Sequence, residues 1–238
     1  MAYEMNFAPV LARAPELIDG AIATIELSAK SICIGLIIGL GVALIRFNRV
    51  PILKNIAAFY VETFRNTPLL VQLFLLFFGL PFLGVRLTAT ESAIVAVSLN
   101  LGAYSAEIFR AGLDAIPKTQ IEAGLALGLS RLQTMRYVVI LPALKVIYPS
   151  LTGQLTLTLL GTSITSAISA TELTLAGAKI ESQTFRSLET YIVLAVMYIA
   201  ITFTFRAVYT LVGKWLFRRK VPKASIVAAT IMDEETSQ

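Results

Sequence analysis

Glu62, Arg65, Asn66, Gln72, Asn100, Tyr104 and Glu107 are polar or ionisable side chains set in stretches that are otherwise strongly apolar. Ionisable groups at membrane depth are functional candidates, because each must be paired or must face a cavity. Asn100, Tyr104 and Glu107 share one helix face and could line a cavity. Alternatively, Glu107 and Arg110 are three residues apart and could neutralise each other. Covalent and metal chemistry have no candidates. There is no histidine, which removes a His-based metal site, general base, proton relay or Ser/His/Asp set. The one cysteine, Cys33, lies in an apolar run and has no partner for a disulfide. A phosphate-binding G-x-x-x-x-G-K-[ST] loop is missing too, since Gly213-Lys214 lacks the earlier glycine and the following hydroxyl. No catalytic residue and no metal ligand is expected, and the chain has no visible means of binding ATP.

The second informative stretch, from Thr119 to Gln133, is short, polar at both ends and bracketed by apolar segments. Thr119 and Glu122 have the T-x-x-E spacing of a capping box, which predicts a helix beginning at Thr119. Gly128 can take the left-handed conformation that ends it. Ser130 and Gln133 repeat the box and open another helix. Ile121, Leu125 and Leu129 recur every four residues as one apolar stripe. Such an element either joins two spans at the interface or gives a soluble partner something to push on.

The elements that must position these residues are membrane spans. The 238-residue chain is 56% hydrophobic, with a mean hydropathy of +0.76. The pattern predicts an all-α integral membrane protein of about five transmembrane helices. These lie near 20–45, 56–80, 90–113, 149–169 and 190–212, each with room for the roughly 20 apolar residues a bilayer core requires. Asp19 is the expected cap of the first, and Thr88 with Glu91 a capping box for the third. The net charge of +5 could suggest nucleic acid, but the basic residues cluster at span ends, so no nucleic-acid partner is expected. Arg46, Arg49 and Lys54 follow span one. Lys118, Arg131, Arg136 and Lys145 follow span three. Lys214, Arg218, Arg219, Lys220 and Lys223 follow span five. By the positive-inside rule the N-terminus faces out, while the C-terminus and the 119–133 segment are cytoplasmic. This divides the chain into an extracytoplasmic N-terminal segment (1–18), a transmembrane domain (19–217, with its cytoplasmic loop at about 117–133) and a poorly ordered cytoplasmic tail (218–238). Residues 172–189 lie outside, with a short surface helix. No internal repeat supplies a second half, so a pathway requires a second subunit.

Polar residues within the spans admit paired readings. A charge at the centre of a span costs about 2.5–3.5 kcal/mol and each aliphatic residue returns about 0.3–0.6, so a span tolerates about one unpaired charge. Glu26 and Lys30, four apart, should therefore pair with each other near the outer end. In span two, Thr67 suits a helix cap and Pro68 a first helical position. Either the span breaks there and restarts, offering free backbone N–H groups to a carboxylate, or an elbow helix ends at Asn66 and the crossing begins at Pro68. Thr158, Thr162, Thr165, Ser166 and Ser169 form a hydroxyl stripe that reads as helix-packing glue, and Gly35 with Gly39 as a G-x-x-x-G packing pair.

Several ordered motifs together resemble one family. Glu122-Ala123-Gly124, with Gly128 following, is similar to the EAA coupling loop of ATP-binding cassette (ABC) importer permeases. Arg65-Asn66-Thr67-Pro68-Leu-Leu-Val-Gln72, Phe78-Gly-Leu-Pro81, Gly102-Ala-Tyr104-Ser-Ala-Glu107-Ile-Phe-Arg110-Ala-Gly112 and Gly161-Thr-Ser163 resemble its polar amino acid branch, of the histidine/glutamine/glutamate type. The resemblance extends to about Trp215. It departs at Gly124, where the family usually has alanine, and at Pro142, which falls one residue late; both bear on the loop helix and the start of span four.

The resemblance implies a type I importer permease in the inner (plasma) membrane, embedded in lipid. It would move a polar amino acid such as glutamate, aspartate, glutamine or a basic amino acid. The implied partners are a dimer of ABC ATPase subunits that use ATP and Mg, a second permease subunit (identical or a paralogue) and a periplasmic amino-acid-binding protein. Thr119, Ile121, Glu122, Ala123, Gly124, Leu125, Gly128 and Arg131 would couple to the ATPase, and Glu62, Arg65, Asn66, Gln72, Asn100, Tyr104 and Glu107 would shape the substrate pathway. A subunit of a secondary transporter driven by an ion gradient explains the buried charges equally well, but not a capped cytoplasmic helix between spans three and four. A non-transporting scaffold leaves Glu62, Arg65 and Glu107 as pure packing pairs.

Overall fold

Four helices are long and apolar enough to cross a bilayer, and a bent pair, Ile52–Arg65 with Leu69–Leu83, makes a fifth candidate when the two are taken together. The structure, a computed structural model, describes residues 4–47 and 51–217, and those residues hold no strand. The expected tail and Arg49, Arg218, Arg219, Lys220 and Lys223 lie outside the described residues. In chain order the elements are α1 (Ala8–Leu11), α2 (Ala14–Phe47), α3 (Pro51–Arg65), α4 (Leu69–Gly79) with a 3-10 turn at Leu80–Leu83, and α5 (Ala89–Asp114). There follow α6 (Lys118–Ala126), α7 (Arg131–Gln133), a π-helical stretch at Thr134–Ile140, α8 (Leu141–Gly161) with a 3-10 end at Thr162–Ile168, α9 (Leu173–Thr184) and α10 (Ser187–Leu216).

α5 is the central helix: 56% of its most apolar stretch is buried, against 11% in α10. Small residues bring α2 onto it. A Cβ on Gly35 would meet the Leu101 side chain at 2.9 Å, and one on Gly39 would strike Ser105 and the Gly102 carbonyl. The G-x-x-x-G pair therefore packs helices, as its spacing indicated. α4 closes one cluster with Leu27, Leu73, Ala93, Ala96 and Ile168. At the end where α5 begins, α9 is wedged between α1, α2 and α10 through Val10, Leu17, Leu173, Ile180 and Leu194, so it is a packed element rather than a surface helix. The buried Glu172 caps α9, its carboxylate accepting from the Thr174 and Leu175 N–H groups (2.7 and 2.6 Å) and from the Tyr198 hydroxyl (2.8 Å). Burial, the largest influence, pushes its carboxyl upward, and the three donors oppose that. Glu189, also buried, accepts from the Asn6 N–H (2.9 Å).

Several expected boundaries move for identifiable reasons. α2 starts at Ala14, not at Asp19: Pro15 sits in its first turn, where a missing N–H costs nothing, and exposed Asp19 is carried inside the helix. The helix that carries the fourth span begins near Arg131 rather than Pro149, because helical geometry is continuous from Arg131 to Ile168. The π stretch ends where Pro142 enters; in regular α geometry the proline ring would meet the carbonyl four residues earlier, at Val138. In span two the chain turns by 109° between α3 and α4. α3 is thus an elbow helix ending at Arg65, and the crossing begins after Pro68. Thr67 does not cap α4: its hydroxyl donates to the Thr63 carbonyl (2.8 Å), and extended Pro68 is the N-cap residue.

Candidate functional site

α6 begins two residues earlier than the T-x-x-E spacing predicts. Pro117 is its N-cap residue (φ −61°, ψ 139°), so Thr119 already lies in the first turn and makes no capping bond with Glu122. The cause is a hydrophobic staple: with the cap at Pro117, buried Ile116 packs against Ile121 in one cluster with Val139, Ala143 and Leu113. A cap at Thr119 would have placed Lys118 opposite Ala123 and lost that contact. The other signals hold. The Ser130 hydroxyl accepts from the Gln133 N–H (3.3 Å), and the Gln133 side chain accepts from the Ser130 N–H (2.8 Å). Thr88 and Glu91 are reciprocally bonded in the same way. Gly128 is left-handed (φ +81°) and completes a Schellman end. Its N–H donates to the Leu125 carbonyl (3.0 Å) and the Leu129 N–H donates to the Gly124 carbonyl (3.2 Å).

α6 consequently has two faces. Ile121 and Leu125 turn inward with Arg131 to line a cavity against the ends of α2, α3 and α5. Gly124 is buried against the π stretch; a Cβ there would sit 3.3 Å from the Thr134 and Val138 methyl groups. Glu122 and Ala123 are exposed on the other side, and Thr119 is exposed in the first turn. Leu127, which sequence reasoning missed, is 84% exposed there; its signal was an apolar residue immediately before a capping glycine.

Glu107 does not join Asn100 and Tyr104. Its carboxylate is taken by Arg110 (2.9 Å) and by Arg46 from the end of α2, while Arg110 also reaches Asp114 (2.6 Å). The nearest full countercharges outweighed the shared helix face. Arg46, distant in sequence, carries no local signal that would mark it as the partner. Glu26 and Lys30 pair at 3.0 Å on an exposed face, as their spacing suggested. Glu62, Arg65 and Asn66 are exposed at the end of α3. The Asn66 amide donates to the Glu62 carboxylate (3.0 Å), and the Arg65 guanidinium lies 5.6 Å from the centre of the Tyr104 ring.

Asn100 and Tyr104 do face a common space. With Leu69, Val97, Gln154, Leu157, Thr158 and Gly161 they line a cavity of about 250 Å³ beside the start of α4. Gln72 stands behind it. Its amide nitrogen donates to the Phe64 and Thr67 carbonyls (2.8 and 3.0 Å), which fixes the break between α3 and α4. Its oxygen accepts from the Asn100 amide (3.0 Å), which orients Asn100. No charged side chain lines this cavity. Gln154 was not foreseen; an amide four residues before Thr158 in an apolar span was its only signal. The hydroxyls of Thr158, Thr162, Thr165 and Ser166 donate to carbonyls three or four residues back on their own helix, and Thr158, Thr162 and Thr165 are buried. Among the described residues no cluster could hold a metal ion.

Residues 32–218 match the family model described as the inner membrane component of binding-protein-dependent transport systems. The chain is 37% identical over 201 residues to the glutamine transport system permease protein GlnP of Escherichia coli, covering 84% of this chain and 92% of that protein. It is 34% identical over 214 residues to the octopine transport system permease protein OccM of Rhizobium radiobacter (85% and 87%). A solved amino acid ABC transporter with histidines superposes with a TM-score of 0.82 at 35% identity, over 89% of this chain and 99% of that one. The MetNI methionine ABC transporter shares the fold at 20% identity (TM-score 0.70, covering 84% and 96%).

Proposed function

The chain belongs to the family of inner membrane components of binding-protein-dependent transport systems and is a permease subunit of an amino acid ABC importer; from that premise we propose how its residues divide the work. As a translocation subunit of this kind, it works with an ATPase and a binding protein. The proposed assembly has two permease subunits, identical or paralogous, in the inner membrane, two ATPase subunits binding ATP and Mg on the side of α6, and a periplasmic binding protein opposite. This accounts for the cytoplasmic helix that an ion-gradient carrier leaves unexplained.

The observation that carries this reading is the two-faced α6. One face is stapled to the transmembrane helices through Ile121, and the other presents Glu122, Ala123 and Leu127 to a soluble partner. ATP and the loaded binding protein must favour the same state of the assembly, and a rigid helix fixed at both ends links the two preferences. Thr119 and Glu122 act here as surface contacts rather than as a cap.

The substrate pathway is proposed to pass the cavity of Asn100, Tyr104, Gln154 and Thr158, with Gln72 orienting Asn100. Arg65 and the free N–H groups at the start of α4 suit a carboxylate. The names of the relatives make glutamine the first cargo to try. Cysteine at Ala123, on a background in which exposed Cys33 is replaced by serine, should crosslink to the ATPase in a nucleotide-dependent way. An intact complex that never crosslinks there refutes the assignment of α6. Asn100→Ala with Gln154→Ala should lower uptake while ATPase binding persists; unchanged uptake removes the pathway.

A further inference from the structure

We propose that the basic cavity behind α6 holds the headgroup of an anionic phospholipid. The cavity, about 970 Å³, opens between α6 and the ends of α2, α3 and α5. Five cations line it (Arg46, Lys54, Arg110, Lys118 and Arg131) against one lining carboxylate, Asp114. Asp114 is engaged by Arg110, and Glu107 by Arg46 and Arg110. Among the described residues, Lys54, Lys118 and Arg131 have no carboxylate partner. Cations gathered in a partly enclosed, low-dielectric cavity repel one another and raise its affinity for an anion.

The neighbouring surface says which anion. α3 turns 109° away from the α4 crossing, and exposes Ile52, Ile56 and Phe59 at helical spacing (75%, 61% and 74%). A helix so placed lies along the interface with its apolar stripe among acyl chains. Lys54, on the same helix, therefore reaches the cavity at headgroup depth. Basic pockets between transmembrane helices at the cytoplasmic face are suited to anionic headgroups, and the stripe, on the side of α3 away from Lys54, sets that helix at the depth where headgroups lie. A free phosphate would use the charges but is not concentrated at that depth. The ATPase meets the opposite face of α6, so the lipid would brace α6 from behind.

The test uses the purified permease–ATPase complex and native mass spectrometry with phosphatidylglycerol or phosphatidylethanolamine. Wild type should retain phosphatidylglycerol preferentially. Lys54→Gln with Lys118→Gln should weaken that retention by about 25-fold, about fivefold per charge removed. Lys54→Arg with Lys118→Arg should keep it. Equal retention of the two lipids, an unchanged preference in the glutamine variant, or displacement by millimolar inorganic phosphate each overturns the proposal. So does loss of the ATPase from the glutamine variant while phosphatidylglycerol stays bound, because the cations would then serve the ATPase.

Discussion

Replacing Gly128 by valine isolates the backbone of α6 from its contacts. The residue has φ +81°, and nothing lies within 4 Å of a Cβ added there, so side-chain bulk itself meets no obstacle. The cost is conformational: an ordinary L-residue in the left-handed region loses about 1–2 kcal/mol, and a β-branched one more. The chain can escape that cost only by giving up the bonds from Gly128 to Leu125 and from Leu129 to Gly124, which hold the end of α6 and set the start of α7. A penalty of about 2 kcal/mol changes the ratio of docked to displaced α6 about thirtyfold. In proteoliposomes holding the complete importer, Gly128→Val should leave the ATPase bound and hydrolysing while uptake per ATP falls several-fold. Gly128→Asn, which tolerates the left-handed conformation, should retain most coupling. Gly84→Val is the control, since Gly84 has the same φ of +81° and equally open surroundings but lies at the opposite end of α5. A normal ratio of uptake to hydrolysis in Gly128→Val, with the ATPase still bound, would refute the reasoning.

Gly39→Leu should lower thermal stability by about 1–3 kcal/mol or more, by forcing α2 away from Ser105 and Gly102. Gly41→Leu, where a Cβ meets nothing within 4 Å, should not; equal melting temperatures would show that the two helices are not in close contact. Glu107→Gln leaves Arg46 and Arg110 without their shared countercharge and should cost about 1–3 kcal/mol. Adding Arg46→Gln should recover part of that loss, and strict additivity in the double-mutant cycle would deny the network. Because burial raises the pKa of Glu172, the folded protein binds that proton more tightly than the unfolded chain. The resulting stabilisation is complete below the ordinary carboxylate range and is lost as pH rises through the raised value. Glu172→Gln should therefore flatten the decline of melting temperature from acid to neutral pH, and an unaltered slope would mean that the carboxyl does not titrate there.

Local rules made much of the fold legible. The first, third and fifth spans followed from apolar length, the packing of α2 on α5 from Gly35 and Gly39, and the end of α6 from Gly128. What failed were inferences that needed a partner from elsewhere in the chain. Glu107 looked like a cavity residue because Arg46 lies on another helix, and Asn100 needed Gln72 and Gln154 from two other helices to become a site. The mixed charges expected to line the pathway divide in space: Glu107 goes to an ion-pair network at the α6 end, Glu62 and Arg65 stay at the end of the elbow helix, and the cavity keeps only neutral polar groups.

The three candidate capping boxes show how a local rule is overruled. Thr88/Glu91 and Ser130/Gln133 form as their spacing dictates, whereas Thr119/Glu122, with the same T-x-x-E pattern as Thr88/Glu91, does not. A box contributes two hydrogen bonds to groups that water could otherwise satisfy, at about 0.5–2 kcal/mol for the cap. Starting the helix at Lys118 instead lets Ile116 and Ile121 leave water together with Val139 and Ala143, and burying one such side chain contributes about 1.5–3 kcal/mol. Apolar burial therefore outweighs the cap, and Pro117 makes the earlier start easy, because its ring sets φ and it has no N–H to satisfy at the helix start. The same choice turns Ile121 toward the transmembrane helices and leaves Glu122 free on the outside. A capping box closed at Thr119 would have tied Glu122 back to the backbone, so the failure of the local rule is what leaves that carboxylate available to a partner.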